Sequence, residues 1–466
     1  MVFSSTVFLF CFLPAVCLLY FLVHRCGSLR NYVLVLMSLF FYAWGEPKNI
    51  AVLLWICALS FVGGSLLGRL VHWRRTTLFV FLVLELGTLG VFKYTDFFLR
   101  NLGRLLQQDF LLPHIALPIG ISFFTFQAVS YLIDVYRRDV EPQRDPVKLV
   151  LYISFFPQLI AGPIVKYHEV EAYLTKPDLS LDNVVSGAER FIVGLGKKVL
   201  IANTLGQVAD MAFTPGISLT TAAAWLGIVC YTLQIYYDFS GYSDMAIGLG
   251  RIFGFHFQEN FNYPYMALSV TEHWRRWHIS LGTWFKEYLY IPLGGSRCGK
   301  ARTYLNLMFV FFVTGLWHGA GWTYVLWGCW HGVLVVAEKA LGVREWGNRC
   351  AVIRHFYFVL VLLVGFVIFR SPSITYAFDY LQLMFSFTGG GTHPLIYFLN
   401  GKIVLLLILS LLFCSPVLSM RLSKILAVMP EWPRLLLREC ACFVLLLLSI
   451  VYVASSAYNP FIYFRF

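Results

Sequence analysis

The chain has 466 residues, 59% of them hydrophobic and only 13% charged, with a formal net charge of +12. Soluble domains carry about 25% charged residues, so this composition excludes a soluble enzyme and predicts an all-α polytopic membrane protein. The positive charge does not indicate nucleic acid, because the basic residues stand in short loops beside apolar runs, where they meet anionic lipid headgroups.

A helix of roughly 20 apolar residues crosses a bilayer, and about eleven to thirteen such runs are expected here. The first five fall near 3–23, 31–45, 50–68, 77–97 and 115–136. No basic residue precedes the first run, while His24, Arg25 and Arg30 follow it. That order predicts a retained span and not a cleaved signal peptide. Loops 24–30, 69–75 and 137–148 hold Arg25, Arg30, Arg69, Arg74, Arg75, Arg137, Arg138, Arg144 and Lys148, whereas 45–49 and 98–113 hold only Lys48, Arg100 and Arg104. The alternation predicts an N-terminus outside and loop 137–148 in the cytoplasm. Further runs lie near 149–165, 188–212 and 221–250.

Residues 262–300 do not read as a simple span. Trp274, Trp277, Leu281, Trp284 and Tyr288 recur at steps of three and four, which predicts one aromatic helical face and an interfacial or re-entrant position. His278 falls at the edge of that stripe, and Pro292-Leu293-Gly294-Gly295 ends the segment as a turn. Apolar runs resume near 303–317, 322–341, 352–370, 396–414 and 437–456, and the tail Tyr458 to Phe466 suits an interface or a groove between helices. No soluble module interrupts the pattern, so residues 1–466 read as one membrane-embedded domain. The eleven cysteines show no C-x-x-C spacing and read as small buried hydrophobes, neither a disulfide framework nor a metal site.

The run Gly315-Leu316-Trp317-His318-Gly319-Ala320-Gly321-Trp322 carries the most chemical information. Lipid offers an imidazole no hydrogen-bond partner, so an intramembrane histidine is a functional-site candidate by default. Gly315 and Gly319, four apart, allow a neighbouring helix to approach. A histidine with an ordinary pKa of about 6.5 can take a proton from a hydroxyl near neutral pH, which makes His318 a candidate general base. The competing reading is a packed histidine donating to a backbone carbonyl. His278 is the second candidate, either orienting a reacting group or stabilising developing negative charge, with an interfacial histidine as the competing reading. His331 is read as making a structural hydrogen bond. Asp238 and Asp244 lie within a predicted span. They read either as a substrate-lining polar path or as a network tied to Arg251, Arg275 or Arg276. Tyr242, Trp317, Trp274 and Gln127 complete the candidate lining residues.

Five stretches in this order carry a resemblance: Ser122-Phe123-Phe124-Thr125-Phe126-Gln127, Phe156-Pro157-Gln158-Leu159-Ile160-Ala161-Gly162-Pro163, Tyr237-Asp238-Phe239-Ser240-Gly241-Tyr242-Ser243-Asp244, Trp274-Arg275-Arg276-Trp277-His278-Ile279-Ser280 and Gly315-Leu316-Trp317-His318-Gly319. Together they resemble the membrane-bound O-acyltransferase family, in its bacterial alginate O-acetyltransferase branch, over nearly the whole chain. The resemblance implies helices around a central cavity, His318 as the catalytic histidine and His278 in the second active-site position. It implies no permanently bound cofactor. The donor would be cytoplasmic acetyl-CoA, used as a substrate, and the acceptor an exopolysaccharide outside the inner membrane. An extracytoplasmic acyltransferase and polysaccharide-export proteins are the implied partners. D-alanyl transfer to teichoic acid, ion-coupled transport through the broken helices, and a scaffold role are the alternatives.

Overall fold

The computed structural model describes residues 1–343, 350–386, 391–456 and 458–460. Among them the chain is helical, with no strand and one isolated parallel bridge between Leu219 and His393. Four helices among the described residues are long and apolar enough to cross a membrane on their own: Ile50–Arg69, Val71–Leu106, Ala351–Arg370 and Glu431–Ser455. Gly401–Phe413 and Pro416–Val428 qualify together as a pair bent by 76°. The chain is an all-α membrane protein.

Several predicted spans are broken, and the breaks have local causes. The expected span 115–136 is helical only over Ile121–Arg137. Gly120 precedes it at φ +78°, and a Cβ there would sit 2.6 Å from the Leu159 carbonyl oxygen. The expected span 149–165 is divided at Phe155, which is not helical and is followed by Pro157, into Pro146–Ser154 and the single turn Phe156–Leu159. Proline has no N–H to continue a helix. In 188–212, a π-helical stretch, Lys197–Ala202, separates Leu181–Gly196 from Asn203–Ala212.

The chain forms two compact units, Met1–Phe191 with Tyr242–Gln258, and Ile192–Gly241 with Glu259–Phe466. The first has an aromatic core in which Phe3, Phe8, Phe12, Phe41 and Phe156 are buried. Tyr242 stacks on Phe3 with ring centroids 4.6 Å apart. Its helices Ile50–Arg69 and Val71–Leu106 are joined by a buried carboxyl group, Glu85, which accepts from the Ser60 hydroxyl at 2.8 Å.

The second unit packs Val270, Phe311, Val335 and Val361 into a core, with Trp274 and Trp330 against it. The helical face expected from Trp274, Trp277, Leu281, Trp284 and Tyr288 is divided between two seven-residue helices, Val270–Arg276 and Ile279–Phe285, followed by the π-helical turn Lys286–Tyr290. The break falls at Trp277 and His278. Tail residues 461–466 lie outside the described residues. Tyr458 is held by a 2.6 Å hydrogen bond from its hydroxyl to Asp210.

Candidate active site

The helix Val270–Arg276 is fixed at its start from several directions. The Ser269 hydroxyl accepts from the Glu272 N–H at 3.0 Å, and the Glu272 carboxylate accepts from the Leu268 N–H at 2.9 Å. These groups satisfy N–H donors that no helical carbonyl can reach. The buried Glu338 carboxylate, 68 residues on, takes the N–H groups of Val270 and Thr271 at 2.7 and 2.8 Å. A short helix gains little from internal cooperativity, so these outside acceptors set where it begins and where Trp274 lies.

The helix ends in an extended Trp277, and His278 follows in the left-handed region at φ +46°, ψ +54°. A residue with a Cβ pays roughly 1–2 kcal/mol to stand there. Asn260 compensates. Its backbone carbonyl accepts from the Ile279 N–H at 3.0 Å. Its side-chain Oδ1 accepts from the Ser280 N–H at 3.2 Å and the Ser280 hydroxyl at 3.0 Å, and lies 3.2 Å from His278 Nδ1. Because that oxygen already accepts a backbone N–H, it faces Nδ1 as an acceptor, so Nδ1 carries the proton and the neutral ring keeps its lone pair on Nε2. In that tautomer Nε2 of His278 can accept a hydrogen bond.

His318 is the last residue of the helix Lys300–His318, and Trp322–Ala340 follows after the extended Gly319 and Gly321. The two helices touch backbone to backbone. A Cβ on Gly328 would overlap the Phe311 carbonyl oxygen and lie 3.1 Å from the Gly315 backbone, and one on Gly315 would overlap the Tyr324 carbonyl oxygen. Small residues at such a crossing permit the approach. Gly328→Ala is expected to destabilise the protein by about 1–3 kcal/mol through overpacking, read as a lowered Tm in detergent. An unchanged Tm would show that the helices can separate freely.

This approach brings rings from separate segments around His318. Trp317, Trp327 and Phe369 have centroids 5.0, 5.0 and 5.4 Å from the imidazole, all nearly perpendicular to it. Trp317 also contacts His278 at 5.9 Å, and Phe239 meets His278 edge-on at 4.6 Å. Trp274 packs on Trp327 at 5.6 Å and on His331 at 5.4 Å. His331 makes no structural hydrogen bond through Nδ1, which lacks a partner among the described residues; its ring packs on Trp327 at 5.1 Å instead. Both candidate histidines are buried, His278 at 1% and His318 at 6% exposure. An imidazole sequestered from water this far can exchange protons only with groups brought to it.

A cavity of about 400 Å³ opens beside this cluster. Trp274, Ile279, Leu281, Phe311 and Thr314 are among its lining residues, with Arg275 and Lys286. It is mostly apolar, with two cations, and it shares Trp274 with the ring cluster.

His318, His278, Trp317 and Trp274 are thus drawn into one cluster. Asp238 is in the same unit, but its carboxylate pairs with the buried Lys198 at 2.5 Å, while the adjacent Phe239 is what touches His278. Asp244, Tyr242 and Gln127 lie in the first unit. Asp244 pairs there with Arg190 at 2.9 Å, and the buried Gln127 accepts at its backbone carbonyl from Ser130 and Tyr152. Among the described residues, neither aspartate forms an ion pair with Arg251, Arg275 or Arg276. Asn260, Glu338, Trp327 and Phe369 were not singled out from the sequence. For Trp327 a signal existed, since it stands four residues before His331 on one helical face.

Residues 143–375 match the membrane-bound O-acyltransferase family. A protein of Pseudomonas syringae pv. tomato named probable alginate O-acetylase is 43% identical over 394 residues, covering 83% of this chain and 76% of that protein. The chain belongs to the membrane-bound O-acyltransferase family. A peptidoglycan O-acetyltransferase of Helicobacter pylori is 33% identical over 530 residues, covering 100% of this chain and 98% of that protein. A teichoic acid D-alanyltransferase of Bacillus subtilis is 27% identical over 279 residues, covering 54% of this chain and 68% of that protein. As a member of this family the chain is an O-acyltransferase, and the matched region contains all four residues of the cluster.

Proposed function

We propose that this O-acyltransferase acetylates hydroxyl groups of an exopolysaccharide such as alginate, drawing the acetyl group from cytoplasmic acetyl-CoA across a bacterial inner membrane. The observation that carries the reading is the convergence of His278 and His318 on Trp317, beside a cavity with Arg275 and Lys286 in its lining. Alginate and peptidoglycan acetylation in the relatives above supports a polysaccharide acceptor. The two cations complement the phosphates of a coenzyme thioester, and the apolar lining suits the uncharged acyl end.

His318 serves as the general base. The acceptor hydroxyl oxygen attacks the thioester carbonyl carbon, and His318 takes the hydroxyl proton as the C–O bond forms. The C–S bond then breaks, and the imidazolium returns that proton to the departing sulfur, leaving an acetyl ester and a free thiol. Positioned acid–base groups of this kind contribute about 10²–10⁴ in rate. His278, whose ring contacts Trp317 as that of His318 does, positions the acceptor for this attack, and the single hydroxyl proton goes to His318. An extracytoplasmic acyltransferase and polysaccharide-export proteins are the expected partners on the acceptor side.

The test is transfer of radiolabelled acetyl from acetyl-CoA by membrane vesicles that hold the full chain and make the polymer. Label in alkali-labile esters on the polymer is the expected result. Label that stays in acetyl-CoA, while the polymer is made normally, would overturn the reading. Transfer from a D-alanyl carrier protein in place of acetyl-CoA would move the assignment to the D-alanyl reaction.

A further inference from the structure

We propose that Trp327 and Phe369 limit the transferred acyl group to two carbons. The inference rests on the acyl-transfer reading above and adds the residues that select its donor. A thioester carbonyl within reach of His318 must place its alkyl end among the rings that bound that imidazole. Those rings are in van der Waals contact with it, at centroid distances of 5.0 Å for Trp317, 5.0 Å for Trp327 and 5.4 Å for Phe369. Trp327 and Phe369 also meet each other at 4.9 Å, and Phe369 is backed by Tyr324 at 5.1 Å. The corner they form is closed, and both rings are only 3% exposed.

The corner is also rigid. Trp327 stands one residue before Gly328, whose backbone is pressed against Gly315 and the Phe311 carbonyl, so the helix carrying the indole cannot retreat. On the other side, a Cβ on Gly319 would overlap the Tyr324 ring that supports Phe369. Close-packed interiors resist even one added methylene. The neighbouring cavity of about 400 Å³ is lined by none of these three rings, so any limit they set acts at the histidine itself.

One methylene in such a pocket changes kcat/KM by about 10–200-fold. The test compares acetyl-CoA with butyryl-CoA as donors to polymer-making membrane vesicles carrying wild-type chain, Trp327→Phe, Phe369→Leu or Phe369→Ala. Wild type is expected to prefer acetyl at least about tenfold. The butyryl-to-acetyl ratio is expected to rise about tenfold or more when either ring is made smaller. A ratio is unaffected by how much folded protein each variant supplies, and Phe369→Leu retains an apolar side chain should Phe369→Ala fail to reach the membrane. Variants that still transfer acetyl with the wild-type ratio would overturn the inference and leave the acyltransferase reading standing, as would wild type using both donors equally. Wild type that uses neither thioester would overturn both.

Discussion

His318→Ala is expected to abolish polymer acetylation while the protein still folds and inserts. The imidazole ends a helix and packs edge-on against Trp317, Trp327 and Phe369. The helix pair beneath it is held by close backbone contacts at Gly315 and Gly328, neither of which uses the imidazole. Its removal therefore takes away the proton acceptor and leaves the scaffold. The loss expected from the acid–base step is about 10²–10⁴, leaving about 1% of the rate or less. His318→Gln keeps volume and hydrogen-bonding capacity but cannot cycle a proton, so it is expected to be equally inactive. The measurements are ester content of the polymer and the amount of protein in the membrane fraction. Normal ester content in either variant would remove His318 from the chemistry.

Breaking the Lys198–Asp238 pair is expected to have the largest effect on stability. Both side chains are buried, at 4% and 2% exposure, with N and O 2.5 Å apart. Lys198 also donates to Asn203 Oδ1 at 2.9 Å and to the Pro460 carbonyl. Removing one partner leaves the other charge buried without its counter-ion, a loss of about 3–5 kcal/mol, whereas replacing both by apolar residues of similar size is often neutral or stabilising. Lys198→Met and Asp238→Leu are each expected to lower Tm sharply, and the double variant to recover most of the loss. If the two losses simply add, the residues are not coupled and the ion pair is not what holds this region. The double variant also separates two roles for Asp238. Retained acetylation would make the carboxylate an anchor for the helix that carries Phe239 onto His278, and lost acetylation in a stable double variant would return Asp238 to the substrate path.

The amount of this molecule that could be read directly varied with the range of the interaction. Membrane class followed from composition, because lipid burial selects apolar residues one by one. His318 stood out because an imidazole at the end of an apolar run is costly wherever the run packs, and the Gly315 approach was visible in the same run. Around His278 the three-and-four periodicity pointed to one aromatic helical face, and the break in it was not visible. A periodicity of three and four assumes an unbroken helix, and the left-handed turn at His278 interrupts it. Nothing in the residue type demands that turn, since histidine carries a Cβ and ordinarily avoids it.

What the sequence determined by itself was therefore the class of protein, the family, and the histidine around which the chemistry is proposed. All three depend on residue identity and on neighbours within a turn or two. Only the tertiary structure decided that Asn260 sets the tautomer of His278, that Glu338 begins the helix leading to it, that Phe369 closes the corner beside His318, and that Lys198 claims Asp238. Each of these partners lies many residues away along the chain and is met only when helices pack. Hydrogen-bond geometry and ring contact are properties of that packing, and short-range spacing carries no record of them.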